Sequence, residues 1–215
     1  MQIIIFGAPG VGKGTQAKII ASKLDVAHIS TGDILRGAIK KGTETGLKAK
    51  AIVESGGLVP DDVMGGIIKD ALKEERCKKG FILDGFPRTK AQAEILDKIL
   101  SEISNEKTIL IKLDADDKII IDRISNRLVC NSCGNILVKN EVTPSFNCPV
   151  CGSLNSYIKR KDDTEEVIRH RLSLYHEMTA PVFEHYKDTA KIIEVDGTKS
   201  IDDVTKSILA KMNAA

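Results

Sequence analysis

The segment Ile3-Ile4-Ile5-Phe6-Gly7-Ala8-Pro9-Gly10-Val11-Gly12-Lys13-Gly14-Thr15 decides how this chain folds. Its four leading apolar residues predict a buried strand, and the turn that follows is too rich in glycine for ordinary side chains. A helical pattern then runs from about Lys13 to Leu24. Backbone N–H groups of such a turn bind phosphate oxygens, and the helix N-terminus adds partial positive charge. The order of strand, loop and helix therefore predicts a phosphate-binding loop.

Two side chains of this loop carry the chemistry. Lys13 supplies a mobile charge for the outer phosphates, and Thr15 can offer its hydroxyl to a magnesium ion or a phosphate. The general motif places Ser or Thr directly after the lysine, whereas Gly14 stands there in this chain. A glycine-rich turn without a ligand is the alternative, and the order of the elements argues against it.

Length and composition restrict the class of protein. A chain of 215 residues suffices for one domain with a sizeable core and a small inserted unit. A net charge of +2, an aromatic content of 4% and the absence of tryptophan argue against a nucleic-acid partner. No apolar stretch has membrane-spanning length, and the N-terminus lacks a secretory pattern. We therefore expect no membrane partner and a location in the cytoplasm, where thiols stay reduced.

Strand and helix patterns alternate along most of the chain. This alternation predicts an α/β fold with a parallel sheet covered by helices on both faces. The predicted strands are 3–6, 26–29, 81–83, 108–113 and 191–195. The predicted helices are about 13–24, 32–41, 45–54, 61–76, 89–104, 116–127, 164–187 with a break at Pro181, and 201–212. Capping boxes are predicted at Thr89-x-x-Gln92, Asp163-x-x-Glu166 and Ser200-x-x-Asp203.

Two segments interrupt the alternation. Residues 30–60 hold two helix patterns without a strand between them, and residues 128–160 hold no clear helix and are rich in Cys, Asn, Gly and Pro. Both segments are predicted to project from the carboxyl edge of the sheet, where ligands bind in open α/β folds.

The second of these segments contains Cys130, Cys133, Cys148 and Cys151, which form two Cys-x-x-Cys pairs separated by 14 residues. Such a pattern predicts a metal site, and four thiolates favour structural zinc, with iron as the second candidate. Two disulfides are one alternative. A nucleic-acid-binding zinc ribbon is another, because the basic run 159–161 lies nearby. The fifth cysteine, Cys77, is interpreted as a small residue at a helix end.

Charged residues point to the same edge of the sheet. Asp84 ends an apolar strand pattern, where a carboxylate can hold magnesium directly or through water, and Arg88 follows in the next loop. Arg123 and Arg127 stand four apart on one predicted helix, which costs about 0.2–0.5 kcal/mol unless they share an anion. Arg171 lies at the border of an apolar face and calls for an anionic partner.

Together these motifs resemble those of the adenylate kinase family in its long bacterial form, which has a metal-bound lid. The resemblance covers essentially the whole chain. It is carried by the motifs Gly7 to Thr15, Ser30-Thr31-Gly32-Asp33, Asp84-Gly85-Phe86-Pro87-Arg88, Arg160-Lys161-Asp162-Asp163 and Val195-Asp196-Gly197-Thr198-Lys199. It implies a phosphate-loop core with a five-stranded parallel sheet at residues 1–29, 60–126 and 165–215. It also implies a small helical nucleoside-monophosphate-binding insertion at 30–59 and a zinc-ribbon-like lid insertion at 127–164.

The resemblance also implies the residues of the site. The implied catalytic residues are Lys13, Arg88, Arg123, Arg160 and Arg171. The implied ATP-binding residues are Gly10, Val11, Gly12, Lys13, Gly14, Thr15, Arg123, Arg127 and Lys199. The implied AMP-binding residues are Thr31, Arg36, Gly57, Leu58, Val59, Gly85, Phe86, Pro87, Arg88, Gln92, Arg160 and Arg171. Asp84 and Thr15 would hold magnesium through water, and the four cysteines would hold the lid metal.

The implied function is reversible, magnesium-dependent transfer of the terminal phosphoryl group of ATP to AMP, giving two ADP, by a monomer. A kinase for CMP/UMP or GMP is the first alternative, and a zinc-ribbon nucleic-acid-binding ATPase is the second. Gln92 is in tension between two roles, because a capping box and an adenine contact would each require its amide in a particular orientation.

Overall fold

The computed structural model describes residues 1–103, 106–138 and 147–213. Its centre is a five-stranded parallel sheet in the order β2-β3-β1-β4-β8. The strands are β1 (Gln2–Phe6), β2 (Ala27–Ser30), β3 (Phe81–Asp84), β4 (Ile109–Asp114) and β8 (Lys191–Asp196). The sheet predicted from the alternation is therefore confirmed, and its carboxyl edge presents the loops that follow β1, β3, β4 and β8.

Helices cover both faces of this sheet because alternate strand residues point to opposite sides. Ile3 and Ile5 of β1 pack in one core cluster with Ala17 and Ile208. Ile4 and Phe6 belong to a second cluster on the other face. The helices are α1 (Lys13–Leu24), α2 (Thr31–Lys41), α3 (Glu44–Glu54), α4 (Asp61–Leu72), α5 (Lys90–Ile103), α6 (Asp117–Ser125), α7 (Glu165–Leu174), α8 (Val182–Tyr186) and α9 (Ile201–Asn213).

The first insertion consists of α2 and α3, which lie between β2 and β3 in the chain. Ser30 caps α2 by accepting the N–H of Asp33, and Thr43 caps α3 by accepting the N–H of Gly46. The two helices approach each other at Gly46, where a Cβ atom would lie 2.3 Å from the backbone of Ala38. Glycine is therefore required for this helix pair to form.

The second insertion contains a small antiparallel sheet in the order β6-β5-β7, which we call the lid sheet. Its strands are β5 (Arg127–Cys130), β6 (Ile136–Val138) and β7 (Tyr157–Ile158). Cys130 ends β5, so the sheet places one of the two Cys-x-x-Cys turns at the end of a strand.

Several predicted boundaries are wrong for identifiable reasons. Arg123 and Arg127 do not share a helix, since α6 ends at Ser125 and Arg127 pairs with Val138 in the lid sheet. The predicted helix 61–76 ends at Leu72, and a separate 3-10 turn covers Glu75–Cys77. Part of the predicted helix 89–104 falls outside the described residues, because position 104 is not among them.

The helix predicted at 164–187 is divided into three pieces. It consists of α7, a π-helical turn at Tyr175–Thr179 and α8, and Pro181 stands directly before α8. Thr164, rather than Asp163, caps α7 by accepting the N–H of Val167. The predicted capping box at Asp163 does not form, because α7 is capped at Thr164 and the buried Asp163 carboxylate binds Arg127 instead. The box at Ser200 is half formed: the Ser200 hydroxyl accepts the N–H of Asp203, while the Asp203 carboxylate accepts from that same hydroxyl. Within the described residues, the helices are too short or too polar to cross a bilayer.

Candidate active site

The phosphate loop follows β1 and leads into α1, as its sequence predicts. The Lys13 side chain turns back over the loop and donates to the backbone oxygens of Gly7 at 2.6 Å and Ala8 at 2.8 Å. Burial lowers the pKa of Lys13 to about 7, which Asp84 opposes, and the nearby Arg88 and Arg171 lower it further. The loop thus holds a half-buried cation among other cations, an arrangement that an anionic ligand would stabilise.

The surroundings of two glycines in the loop show how much space a side chain would have there. Gly10 adopts a φ of 84°, and a Cβ atom there would lie 2.4 Å from the Ile124 side chain. A Cβ atom at Gly14 would lie 3.2 Å from Oδ2 of Asp84, closer than an ordinary contact. A small shift of the Asp84 carboxylate would relieve this contact, so the glycine after the lysine has no strict steric requirement here.

Asp84 lies at the carboxyl end of β3, beside the loop. Its Oδ2 is 3.5 Å from Nε2 of His28, which belongs to the neighbouring strand β2. Thr15 lies in the first turn of α1 at the same edge. The structure therefore brings together the carboxylate and the loop that the sequence associated with magnesium. The sequence pattern gave no reason to single out His28.

The loop after β3 holds Arg88 by its backbone and its side chain. Its Nε donates to the Gly85 oxygen at 2.8 Å, and its backbone N–H donates to Oε1 of Gln92 at 2.8 Å. Thr179, in the π-helical turn, donates its hydroxyl to the Arg88 oxygen at 2.9 Å. Burial lowers the pKa of Arg88 to about 10, and Arg171 lowers it further. Thr179 is a contact that sequence reasoning missed, since it depends on packing between distant segments.

Two adjacent carboxylates hold two arginines of the site. Asp162 Oδ2 lies 2.9 Å from Nη1 of Arg171, and Asp163 accepts from Nε of Arg127 at 2.9 Å. The predicted anionic partner of Arg171 is thus a carboxylate of the chain itself. Burial lowers the pKa of Arg160 to about 10, with nearby Arg36 contributing further. The second insertion therefore contributes Arg127 and Arg160 to a group of cations that also contains Arg36 and Arg171.

Two cavities meet at this region. The first is lined by the loop residues Gly7, Pro9 and Lys13 and by the π-helical turn. The second lies between α2, α3 and the loop after β3. Both cavities share a set of wall residues, which are Gly56, Leu58, Gly85, Arg88 and Arg171. The two guanidinium groups of this set border both spaces.

Most residues implied for AMP line the second cavity. These are Thr31, Arg36, Gly57, Leu58, Val59, Gly85, Arg88, Gln92 and Arg171. Phe86 and Pro87, joined by a cis peptide bond, line the first cavity with Gly85 and Arg88. Thr31 is fixed by its hydroxyl, which donates to the Gly85 oxygen at 3.0 Å. Arg160 lies outside the described walls of both cavities.

The residues implied for ATP binding are spread over several segments and do not all line one cavity. Arg123 donates to the backbone oxygens of Gly197 at 2.7 Å and Thr198 at 3.0 Å, so it joins α6 to the loop after β8. Lys199 is exposed in that loop. Val11 is buried against Gly197, where a Cβ atom would lie 2.8 Å from the Val11 side chain. Arg123, Arg127 and Lys199 also lie outside the described walls of the two cavities.

The four cysteines of the second insertion form a compact cluster. Their sulfur atoms all lie within 4.8 Å of one another, with 3.7 Å between Cys130 and Cys151 and 3.5 Å between Cys133 and Cys148. Zinc–sulfur bonds of about 2.3 Å in a tetrahedron give sulfur separations of about 3.8 Å, so the cluster fits zinc. A disulfide requires about 2.05 Å, so the disulfide alternative is wrong.

The turns that carry these cysteines have the geometry that their glycines predict. Gly134 and Gly152 each adopt a φ of 72°. Their N–H groups donate to the oxygens of Cys130 and Cys148 at 2.8 Å in both turns. Cys77 lies elsewhere; it is buried, and its thiol contacts the Ala71 oxygen at 3.3 Å. Burial raises the pKa of the Cys77 thiol, which is consistent with a structural residue.

The parallel sheet, the phosphate loop at its carboxyl edge and the cavities that meet at Arg88 and Arg171 define a phosphate-loop nucleoside monophosphate kinase, an enzyme class that transfers phosphoryl groups. The family model described as Adenylate kinase matches residues 5–191. The chain therefore belongs to the adenylate kinase family.

Curated relatives agree with this membership. A protein named adenylate kinase from Chloroherpeton thalassium is 50% identical over 211 residues, which cover 97% of this chain and 96% of the relative. A protein of the same name from Methanocella arvoryzae is 47% identical over 212 residues, which cover 98% of this chain and 97% of the relative. A third adenylate kinase, from Fusobacterium nucleatum, is 46% identical over 209 residues, which cover 97% of this chain and 96% of the relative.

Proposed function

We propose that the enzyme transfers the terminal phosphoryl group of ATP reversibly to AMP, giving two ADP, with magnesium bound to the nucleotide. The observation that carries this proposal is the shared wall of the two cavities. Arg88 and Arg171 border both spaces, so a phosphoryl group passing from one nucleotide to the other would remain beside the same two cations. Such transfer depends mostly on positioning and charge stabilisation.

The donor nucleotide would bind at the phosphate loop. The backbone N–H groups from Gly10 to Thr15 and the Lys13 ammonium would hold its phosphates, and Arg123, Arg127 and Lys199 would contact the donor side. Asp84 and the Thr15 hydroxyl fit a magnesium ion held through water, since both are hard oxygen donors at the loop. When bound, the ion would neutralise phosphate charge.

The acceptor nucleotide would bind in the second cavity. Thr31, Arg36, Gln92 and the backbone of 57–59 would hold AMP, while residues 85–88 would position its phosphate beside the donor. Arg160 would reach this phosphate from the lid segment, which would require it to move from its present position outside the described walls. Lys13, Arg88, Arg123, Arg160 and Arg171 would together take up the charge of the transferring group.

The proposed core comprises residues 1–29, 60–126 and 165–215. The proposed AMP-binding insertion comprises residues 30–59, and the proposed lid comprises residues 127–164. Two contacts between the lid and the helical insertion support closure over the site. Lys161 Nζ lies 3.1 Å from Oε1 of Glu54, and Lys40 Nζ lies 3.5 Å from the Asn131 oxygen. Closure would exclude water, which otherwise competes for the phosphoryl group. Structural zinc, rather than iron, would hold the lid sheet together without entering the reaction.

We further propose a cytoplasmic monomer. Reduced thiols at Cys130, Cys133, Cys148 and Cys151 are what a metal site requires, and the cytoplasm keeps thiols reduced. The nucleic-acid-binding alternative is not supported by its basic run. Lys161 pairs with Glu54, and Arg160 lies among the arginines of the site.

The deciding experiment measures ADP formation from ATP and AMP with magnesium, using the metal-loaded full chain. We expect turnover that a ligand bridging both nucleotide sites blocks, that Lys13→Ala abolishes, and that the exposed control Lys23→Ala leaves unchanged. CMP, UMP and GMP are tested beside AMP. Preferred phosphorylation of one of these would show a sister kinase, and absence of transfer to any monophosphate would overturn the proposal.

A further inference from the structure

Gln92 joins two segments through both ends of its amide. Its Oε1 accepts the backbone N–H of Arg88 at 2.8 Å, and its Nε2 donates to Oδ1 of Asp61 at 2.8 Å. Asp61 lies in the first turn of α4, 31 positions away in the chain. Gln92 is 2% exposed and lines the second cavity. The amide of a cavity residue is therefore held from both sides by the protein.

These two contacts fix the orientation of the amide. A backbone N–H can only donate, so the atom facing Arg88 must be the oxygen. An ionised carboxylate can only accept, so the atom facing Asp61 must be the nitrogen. Reversing the amide would place N–H against N–H and oxygen against carboxylate in a site with little access to water. The resulting unpaired polar groups would be costly, and the reversed orientation is excluded.

A fixed amide can distinguish purines. The Gln92 oxygen retains a second lone pair and the nitrogen a second N–H. Adenine offers an N6 amino donor beside a ring-nitrogen acceptor, which matches this pair, whereas guanine offers an O6 acceptor where adenine has its donor. An amide free to reverse would accept either base. The ability to reject a 6-oxopurine therefore depends on what prevents reversal.

We propose that Asp61 is a specificity-determining positioning residue, which makes the acceptor site select a 6-aminopurine over a 6-oxopurine nucleotide by orienting the Gln92 amide. This inference rests on the proposed function, because it assigns the base of the nucleotide in the second cavity. Asp61 also accepts from the Thr89 hydroxyl at 3.1 Å, and Thr89 in turn caps α5 by accepting the Gln92 N–H at 3.1 Å. One carboxylate thus anchors both the start of α5 and the side chain that faces the base.

This arrangement also answers the tension noted for Gln92. The capping box is only half formed, because Oε1 binds the N–H of Arg88 rather than that of Thr89. The same amide orientation therefore satisfies the helix start and leaves one donor and one acceptor available for a base.

The test compares Asp61→Ala with Asp62→Ala. Asp62 is exposed in the same helical turn, so its removal changes the helix charge equally without touching Gln92. We expect Asp61→Ala to lower the ratio of kcat/KM for AMP to that for GMP about tenfold, which corresponds to about 1.4 kcal/mol. The change should arise mainly from a higher KM for AMP. Asp62→Ala should keep the wild-type ratio, and Asp61→Asn, whose carbonyl oxygen can still accept, should restore most of it.

If the wild-type protein transfers no phosphoryl group to AMP, the proposed function itself is refuted. If the wild type phosphorylates AMP but Asp61→Ala keeps the full preference for AMP over GMP, only the proposed role of Asp61 is refuted. A loss in Asp61→Ala that persists undiminished in a Gln92→Leu background would also contradict it, since Asp61 is proposed to act through Gln92.

A measurement on the wild type covers the case in which Asp61→Ala does not fold. The chain has three glutamines, Gln2, Gln16 and Gln92, so side-chain amide labelling gives a simple proton–nitrogen NMR spectrum, and Gln92→Leu assigns the signal. We expect two separate Gln92 amide protons that exchange slowly with water. Exchange as fast as that of free glutamine would show that the amide is not held, and the inference would fail.

Discussion

The ion pair between Arg127 and Asp163 joins the two ends of the lid insertion, and its removal should destabilise the protein strongly. Arg127 begins β5, and Asp163 lies just before the cap of α7. The side chains are 13% and 0% exposed, and two hydrogen bonds join the guanidinium to the carboxylate. Asp163→Leu would leave the Arg127 charge buried without its partner.

The expected magnitude follows from this burial. Breaking a buried ion pair by removing one partner costs about 3–5 kcal/mol of unfolding free energy. For a chain of this length, about 1 kcal/mol shifts the melting temperature by about 2–4 °C. Asp163→Leu should therefore lower the melting temperature by about 6–20 °C, as measured by circular dichroism on metal-loaded protein.

Two further variants show whether the buried charge is the cause. The Arg169–Glu165 pair is 64% and 65% exposed on α7, so Glu165→Ala should cost at most about 1 kcal/mol. Combining Asp163→Leu with Arg127→Met removes both charges and should recover most of the stability. A single Asp163→Leu variant that melts within 2 °C of wild type would refute this reasoning. So would a double variant as unstable as the single one.

Three other perturbations test the loop, the lid metal and the π-helical turn. Because burial lowers the pKa of Lys13 to about 7, the unfolded chain binds more protons than the folded one between pH 7 and the ordinary pKa of 10.5. The unfolding free energy of wild type relative to Lys13→Met should therefore rise across that range in denaturant titrations. Chelation of the metal, or Cys130→Ser, should lower the melting temperature while folded protein still turns over at low temperature. Thr179→Val should lower kcat about fivefold, the effect of about 1 kcal/mol from one lost hydrogen bond to Arg88, and Thr179→Ser should restore it.

Each of these predictions has an outcome that contradicts it. A stability difference between wild type and Lys13→Met that stays flat or falls with pH would show that Lys13 is not a buried cation of lowered pKa. A Cys130→Ser variant that melts like wild type but does not turn over would assign the metal to the reaction. Equal activity of Thr179→Val and Thr179→Ser would show that the hydroxyl does not position Arg88.

The parts of the fold that the sequence predicted are those set by local pattern. The strand 3–6, the loop and helix α1 follow from apolar residues, glycines and helical periodicity within one short segment. The metal cluster was also predictable, since the spacing of two Cys-x-x-Cys turns restricts what they can do together. In each case the residues that decide the structure are near one another in the chain.

The predictions from sequence are wrong or incomplete where a residue distant in the chain determines the local structure. Arg127 has helical neighbours in sequence, yet strand pairing with Val138 and the bond to Asp163 place it in the lid sheet. Asp163 fits a capping box, but a buried guanidinium 36 positions away occupies its oxygens. Asp61 and Thr179 carried no local signal at all, because each is defined by a contact with the segment 88–92.

The charges of the site also explain why its arginines are held by the chain itself. Lys13, Arg88, Arg160 and Arg171 all have pKa values lowered chiefly by burial, and each is lowered further by a neighbouring cation. Such a cluster is unfavourable in the folded chain alone, and the buried apolar core offsets its cost. Asp162 and Asp163 therefore serve to orient guanidinium groups as well as to neutralise them. Donors fixed in this way need not reorganise when charge develops on a transferring group, which is where electrostatic catalysis gains most.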